Sequence, residues 1–170
     1  NAKIVGDFQV ELDMGKPLFG SEEIPLSKKI DPRNVVLDIN NQKFSEGFCV
    51  NVGNPHIIFF GKDYLKHDLK VIGPKIEHHD LFPEKTNVTF ADVIDKKNIR
   101  VSVWERGAGH TKACGTAACA TAVASFSKNL TDREVQIAFD QGSLKIKYDS
   151  NKNIFMTGSV SKIKKMDILI

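Results

Sequence analysis

The stretch VWERGAGHTKACGTAACATA, Val103 to Ala122, decides how this chain is read. As far as Trp104 it alternates as a strand does: Ile99, Val101 and Val103 point one way, Arg100, Ser102 and Trp104 the other. Gly107 and Gly109 break that strand. A small-residue run from Gly115 to Phe126 follows, with Cys119, Ala122, Val123 and Phe126 at helical spacing. Cys114 therefore sits where a strand and a Gly-rich turn hand over to a helix. Unpaired backbone N–H groups and the helix dipole favour negative charge at such a point. The expected consequences are a thiol that ionises more readily than a free one, and backbone donors able to cradle a carboxylate.

Two nucleotide-binding devices share the order strand, Gly-rich loop, helix. A dinucleotide fingerprint needs a third glycine where Lys112 stands, and a P-loop needs Gly-Lys-Ser/Thr, which the chain lacks. What remains is a thiol and an anion-binding helix start beside the charged pair Glu105-Arg106, a combination suited to chemistry on a small carboxylate. On these residues alone, a buried structural cysteine in a Gly-rich connection fits position 114 equally well.

The 170 residues are enough for a single domain, 1–170, with its own core. A content of 41% hydrophobic and 26% charged residues is ordinary for a globular protein. The net charge of +3 is too small, and the lysines too scattered, to indicate nucleic acid. No run is long and apolar enough for a membrane span. Three cysteines at unpatterned spacing make neither a disulfide framework nor a zinc site. A reducing cytoplasm is the expected home.

Periodicity predicts a strand from Val5 to Leu12, then a loop from Asp13 to Pro25 punctuated by Gly and Pro. Val35–Ile39 and Lys43–Val50 read as a hairpin around Asn40-Asn41, and Ile57–Phe60 as a buried strand. Tyr64 to His78 has helical spacing, with a kink or a break into two helices expected at Gly73-Pro74. Val88–Ile94 and Ile99–Trp104 read as a second hairpin. Strands Glu134–Phe139, Ser143–Tyr148 and Ile154–Ser159 follow the central helix, and Ile163–Ile168 is expected to close the sheet. Strands outnumber helices, and the helix after Cys114 has no charged residue before Lys128. The expected fold is therefore α+β: a curved, mostly antiparallel sheet wrapped around a buried central helix.

The spelling ERGAGHTKACGTAACA resembles the second signature of the diaminopimelate epimerase family, cofactor-independent epimerases of lysine and peptidoglycan synthesis. Gly53-Asn54-Pro55-His56, Phe82-Pro83-Glu84-Lys85-Thr86-Asn87 and Met156-Thr157-Gly158 agree with that family in the same order. Ala117 stands where many members have Gly, and His110 where many have Glu. The family's first half carries a Cys-Gly-Asn-Gly signature, which neither Cys49 nor Cys119 spells. The resemblance thus implies the C-terminal lobe of a two-lobed enzyme, with an N-terminal lobe, absent from this chain, as its partner. It allows a homodimer.

The resemblance also implies roles. Cys114 is one of two thiols that take and return the α-proton on opposite faces, and Glu105 and His56 adjust the ionisation of the thiols. Gly115 and Thr116 offer backbone N–H groups to the carboxylate at the reacting end. Arg106 grips the distal carboxylate, Glu105 the distal ammonium, and Asn54 and Asn87 donate to the distal carboxylate. The substrate would be diaminopimelate, with no metal or cofactor. Read without the family, Glu105-Arg106 is a surface ion pair and the asparagines serve turns. Cys49 and Cys119 are expected in the core, and His67, His78 and His79 in solvent. Two other readings are a related isomerase of the same superfamily, proline-racemase-like or phenazine-biosynthesis-like, and a non-catalytic carboxylate-binding module. Asn54, Asn87, Glu105 and Arg106 together argue against the related isomerases.

Overall fold

The computed structural model describes residues 1–161. The strand expected over Ile163–Ile168 lies outside them. The elements run β1 (Ala2–Gly6), β2 (Gln9–Asp13), β3 (Val35–Ile39), β4 (Gln42–Asn51), β5 (Pro55–Phe60), α1 (Leu69–Glu77), β6 (Asn87–Asp95) and β7 (Asn98–Glu105). They continue with β8 (Gly109–Thr111), α2 (Gly115–Ser127), β9 (Glu134–Phe139), β10 (Gly142–Tyr148) and β11 (Ile154–Ser159). Among the described residues the strands form one sheet in the order β1-β2-β11-β10-β9-β7-β6-β5-β4-β3, with β8 attached to β7. Pairing is parallel at β5–β6 and β7–β9 and antiparallel elsewhere.

Each face of the sheet buries its own core. On one face Phe48, Val50, Ile58, Ala91, Val101 and Val103 pack on α2. On the other, Phe44, Ile57, Phe59, Val88 and Phe90 pack with Ile72 and Ile76 of α1. The strand β5 is covered on both sides, which is why its sequence is an apolar run without alternation. Helix α2 touches β4, β5 and β6 as well as β9, β10 and β11, so the sheet curves around it. Residues 117 to 125 of that helix are each at most 2% exposed. The expected α+β lobe is the one observed.

Asn40 and Asn41 hold φ of 55° and 64°, and so form the tight turn that suits a right-twisted β3–β4 hairpin. Three expectations need correction. The first predicted strand is a hairpin: the chain reverses at Asp7-Phe8, with Phe8 at φ 58°, so that β1 is the edge strand and β2 pairs with β11, Leu12 beside Met156. Alternation survives such a reversal, so periodicity alone does not reveal it. The second is the helical stretch, which breaks before Leu69 and not at Gly73-Pro74. A 3-10 turn spans Tyr64–Lys66; Asp68 then caps α1 by accepting the Lys70 N–H at 2.9 Å. Pro74 deprives only the Lys70 carbonyl, in the first turn, of its partner, so the helix runs through. The third is the Gly-rich turn, which folds back as β8 and pairs Glu105 with Gly109 and Val103 with Thr111.

Because α2 is enclosed by backbone and apolar side chains, Ala120→Leu is expected to lower the unfolding free energy by about 1–3 kcal/mol through overpacking. An unchanged urea midpoint and slope would show that the helix has spare room.

Candidate functional site

Strand register brings four distant segments to one rim. Parallel pairing sets His56 of β5 beside Asn87 of β6, and antiparallel pairing sets Val88 opposite Trp104, so the start of β6 meets the end of β7. The Glu105–Gly107 turn therefore lies over Asn87 and His56. Glu105 is in turn near enough to Cys114, at the head of α2, for its charge to act on the thiol.

Cys114 is the N-cap of α2 in extended conformation, φ −148° and ψ 114°. Its Sγ accepts the Ala117 N–H at 3.4 Å and lies 3.4 Å from Thr116 Oγ1. The residue is 7% exposed. Burial pushes the thiol above its ordinary value; the Thr116 hydroxyl and the Ala117 N–H draw it down, and Glu105 pushes it up again. The net direction is upward, so the expectation of a readily ionised thiol is corrected: removal from water outweighs the donors at the helix start. The N–H groups of Gly115 and Thr116 have no partner among the described residues. A Cβ at Gly115 would lie 3.0 Å from Met156 Sδ, which ties the closing Met156-Thr157-Gly158 segment to the helix start.

His56 is fully buried, and its Nε2 meets Asn54 Oδ1 at 2.8 Å. Asn54 Oδ1 can only accept, which assigns the proton to Nε2. Nδ1 has no partner among the described residues. Burial, with the Arg106 charge nearby, pushes the His56 pKa down to about 3, so the imidazole is neutral. Asn87, 2% exposed, donates to the Pro55 carbonyl at 2.8 Å, while its Oδ1 accepts the Arg106 N–H at 2.9 Å. Its side chain thus staples two backbones, and only its second amide hydrogen is left for a ligand.

Arg106 and Glu105 form no ion pair with each other among the described residues. Arg106 Nη1 donates to the Glu84 carbonyl at 2.9 Å, which aims the guanidinium. Glu105 is close enough to Cys114 for its charge to raise the thiol. Cys119 is in the α2 core, where burial and the neighbouring Cys114 push its thiol up to about 12. Burial also raises Cys49, in the other core. Of the three histidines expected in solvent, His78 is exposed, but His67 is half-buried, 5.4 Å from the Phe44 ring, and His79 caps the Leu81 N–H at 3.1 Å. Among the described residues no cluster of His, Cys, Asp or Glu is placed to hold a metal ion.

Sequence reasoning missed Glu77, whose buried carboxylate bonds Trp104 and Gly107. The available signal was its place four residues after Gly73 on the inward face of α1, where a charge needs a partner.

Comparison with known proteins agrees with this arrangement. A diaminopimelate epimerase family model matches residues 48–163, the span that contains every site residue above. The diaminopimelate epimerase of Pelagibacter ubique is 54% identical over 98% of this chain and 62% of its own length. That of Bartonella bacilliformis is 40% identical over 89% of this chain and 54% of its own. The chain thus spans little more than half the length of these curated relatives. Among solved structures, a predicted epimerase from Pseudomonas aeruginosa superposes with a TM-score of 0.61 at 17% identity, covering 99% of this chain and 61% of that one. A hydroxyproline epimerase from Agrobacterium vitis gives 0.61 at 11% identity, over 89% and 50%. These two share the fold. The match to the family model, over most of the chain and all of the rim, settles the kinship: the chain belongs to the diaminopimelate epimerase family.

Proposed function

We propose that this chain supplies one of the two proton-transfer groups, and most of the recognition groups, of an epimerase that interconverts LL- and meso-diaminopimelate in the cytoplasm without a cofactor. The observation that carries this reading is the Cys114 thiol at the head of α2, beside Glu105 and the unpartnered N–H groups of Gly115 and Thr116. A substrate carboxylate on those N–H groups would set its α-carbon near Sγ. As base, the thiolate takes the α-proton; the C–H electron pair passes into the carboxylate, whose growing charge the N–H groups stabilise. An acid on the opposite face then delivers a proton to the carbon. In the reverse direction the Cys114 thiol is that acid.

The raised thiol pKa suits the acid form, which is the resting state here. Acting as base requires the proton to leave first, and Glu105 is the carboxylate whose charge acts on the thiol. A substrate ammonium paired with Glu105 would cancel the charge that pushes the thiol up. The Thr116 and Ala117 donors would then favour the thiolate. Substrate binding and thiol ionisation are coupled in this scheme. Neutral His56 and the Asn54 that fixes its tautomer stand behind Arg106, which takes the distal carboxylate in the bidentate fashion its fork allows. The opposing acid would come from the partner lobe bearing the Cys-Gly-Asn-Gly signature.

Two experiments test this. The 170-residue chain alone should incorporate no deuterium at the α-carbon of LL-diaminopimelate in heavy water. Joined to the first half of the Pelagibacter relative, it should epimerise, and Cys114→Ser in that fusion should remove both exchange and inversion. Turnover by the isolated chain, or by the Ser variant, would end the two-thiol account. The second measurement is the pH profile of Cys114 alkylation. Since the folded thiol pKa is raised, reactivity should climb only above the ordinary thiol range, and Glu105→Gln should shift the midpoint to lower pH. A midpoint unmoved by that substitution would remove Glu105 from the scheme.

A further inference from the structure

Glu77 is 3% exposed, ends α1, and has no part in the proton transfer described above. Its two oxygens are both engaged. Oε2 accepts the Trp104 indole N–H at 2.7 Å, and Oε1 accepts the backbone N–H of Gly107 at 3.0 Å. No cation pairs with it among the described residues. A buried carboxylate held by two neutral donors is costly unless both bonds are well made. The surroundings make them well. Gly73, one helical turn before Glu77, lies against the Trp104 side chain so closely that a Cβ there would come within 2.5 Å of it. Gly107 adopts φ 76°, a conformation that favours glycine, and so turns its N–H toward α1. The Ala108 N–H closes the turn on the Glu105 carbonyl at 3.0 Å.

The turn is therefore gripped from two sides. Asn87 holds it by the Arg106 N–H, and Glu77 holds it by the next N–H along, that of Gly107. Resting on the function proposed above, we infer that Glu77 is a positioning residue: through Gly107 and Trp104 it fixes the turn that presents Glu105 and Arg106 to the substrate. A carboxylate is required because both groups facing it donate. A glutamine of the same shape would point an NH2 at one of the two N–H groups and leave that donor unsatisfied.

Glu77→Gln and Trp104→Phe separate positioning from plain packing. The Phe variant loses only the indole bond and keeps Gly107 attached. By amide hydrogen exchange, the unsubstituted chain should protect the Gly107 N–H and the indole N–H of Trp104, its single tryptophan. Glu77→Gln should speed exchange at Gly107 by about tenfold or more with α2 and β6 still protected, whereas Trp104→Phe should leave Gly107 protected. In the fusion with the Pelagibacter first half, Glu77→Gln should raise KM for LL-diaminopimelate by about tenfold and change kcat by no more than about twofold. Free exchange at Gly107 in the unsubstituted chain would overturn the inference even if the variant did not fold. So would an unchanged KM, or equal damage from the two variants. An unsubstituted fusion that fails to epimerise would count against the proposed function alone; the exchange result at Gly107 would still decide whether Glu77 holds the turn.

Discussion

The packing of α2 is the constraint on which the rest of the structure depends. From Ala117 to Ser125 its side chains are small and buried, so strands from both halves of the sheet approach the helix axis closely. A helix so enclosed cannot slide or tilt without opening voids in a close-packed interior. Its first turn is thereby held at the rim, where Cys114 and the N–H groups of Gly115 and Thr116 emerge beside the end of β7. A Cβ at position 115 would meet Met156 Sδ at 3.0 Å, a tight contact. Position, and not intrinsic acidity, is what the helix contributes first.

Two effects compete at the thiol, and their balance differs from what a helix N-terminus alone would suggest. The sulfur accepts a backbone N–H and lies near the Thr116 hydroxyl, both of which favour the anion. Burial and the Glu105 carboxylate oppose them and prevail. A pair that must give as well as take a proton is served by a thiol neutral at rest whose balance a bound cation can tip. Glu105 is the group through which that happens in the proposed scheme, since its charge acts on the sulfur.

Much of this was legible in the sequence, and for identifiable reasons. The alternation of Ile99, Val101 and Val103, the Asn40-Asn41 turn, and a helix starting after Cys114 are local signals, and each element formed where its residues call for it. Meetings across the fold carry no such signal. That Asn87 and Glu77 use their side chains on the backbone of one turn depends on the register of β5, β6 and β7 and on the docking of α1. The misread hairpin at Asp7-Phe8 shows the same limit, because a strand and a tight reversal share one alternation. Pro74 misled for the opposite reason: a local signal for breakage was overridden by the Asp68 cap and by the packing of Gly73 on Trp104.

Separating the groups that build the rim from those left facing it narrows what the rim can recognise. Asn87, Glu77 and Asn54 make their bonds to backbone, to the Trp104 indole or to His56, and Arg106 is aimed by the Glu84 carbonyl. The groups then available to a ligand include the Arg106 guanidinium, the Glu105 carboxylate, two backbone N–H groups, the Cys114 thiol and the amide hydrogens that Asn54 and Asn87 leave unused. One cation, one anion and one set of neutral anion donors complement the substrate proposed above, which carries both charges and two carboxylates. In the proposed scheme a monocarboxylate lacking an ammonium would leave both burial and Glu105 raising the thiol. In the proposed scheme an ammonium beside Glu105 relieves the lesser of the two effects, burial being the larger, that hold the thiol neutral.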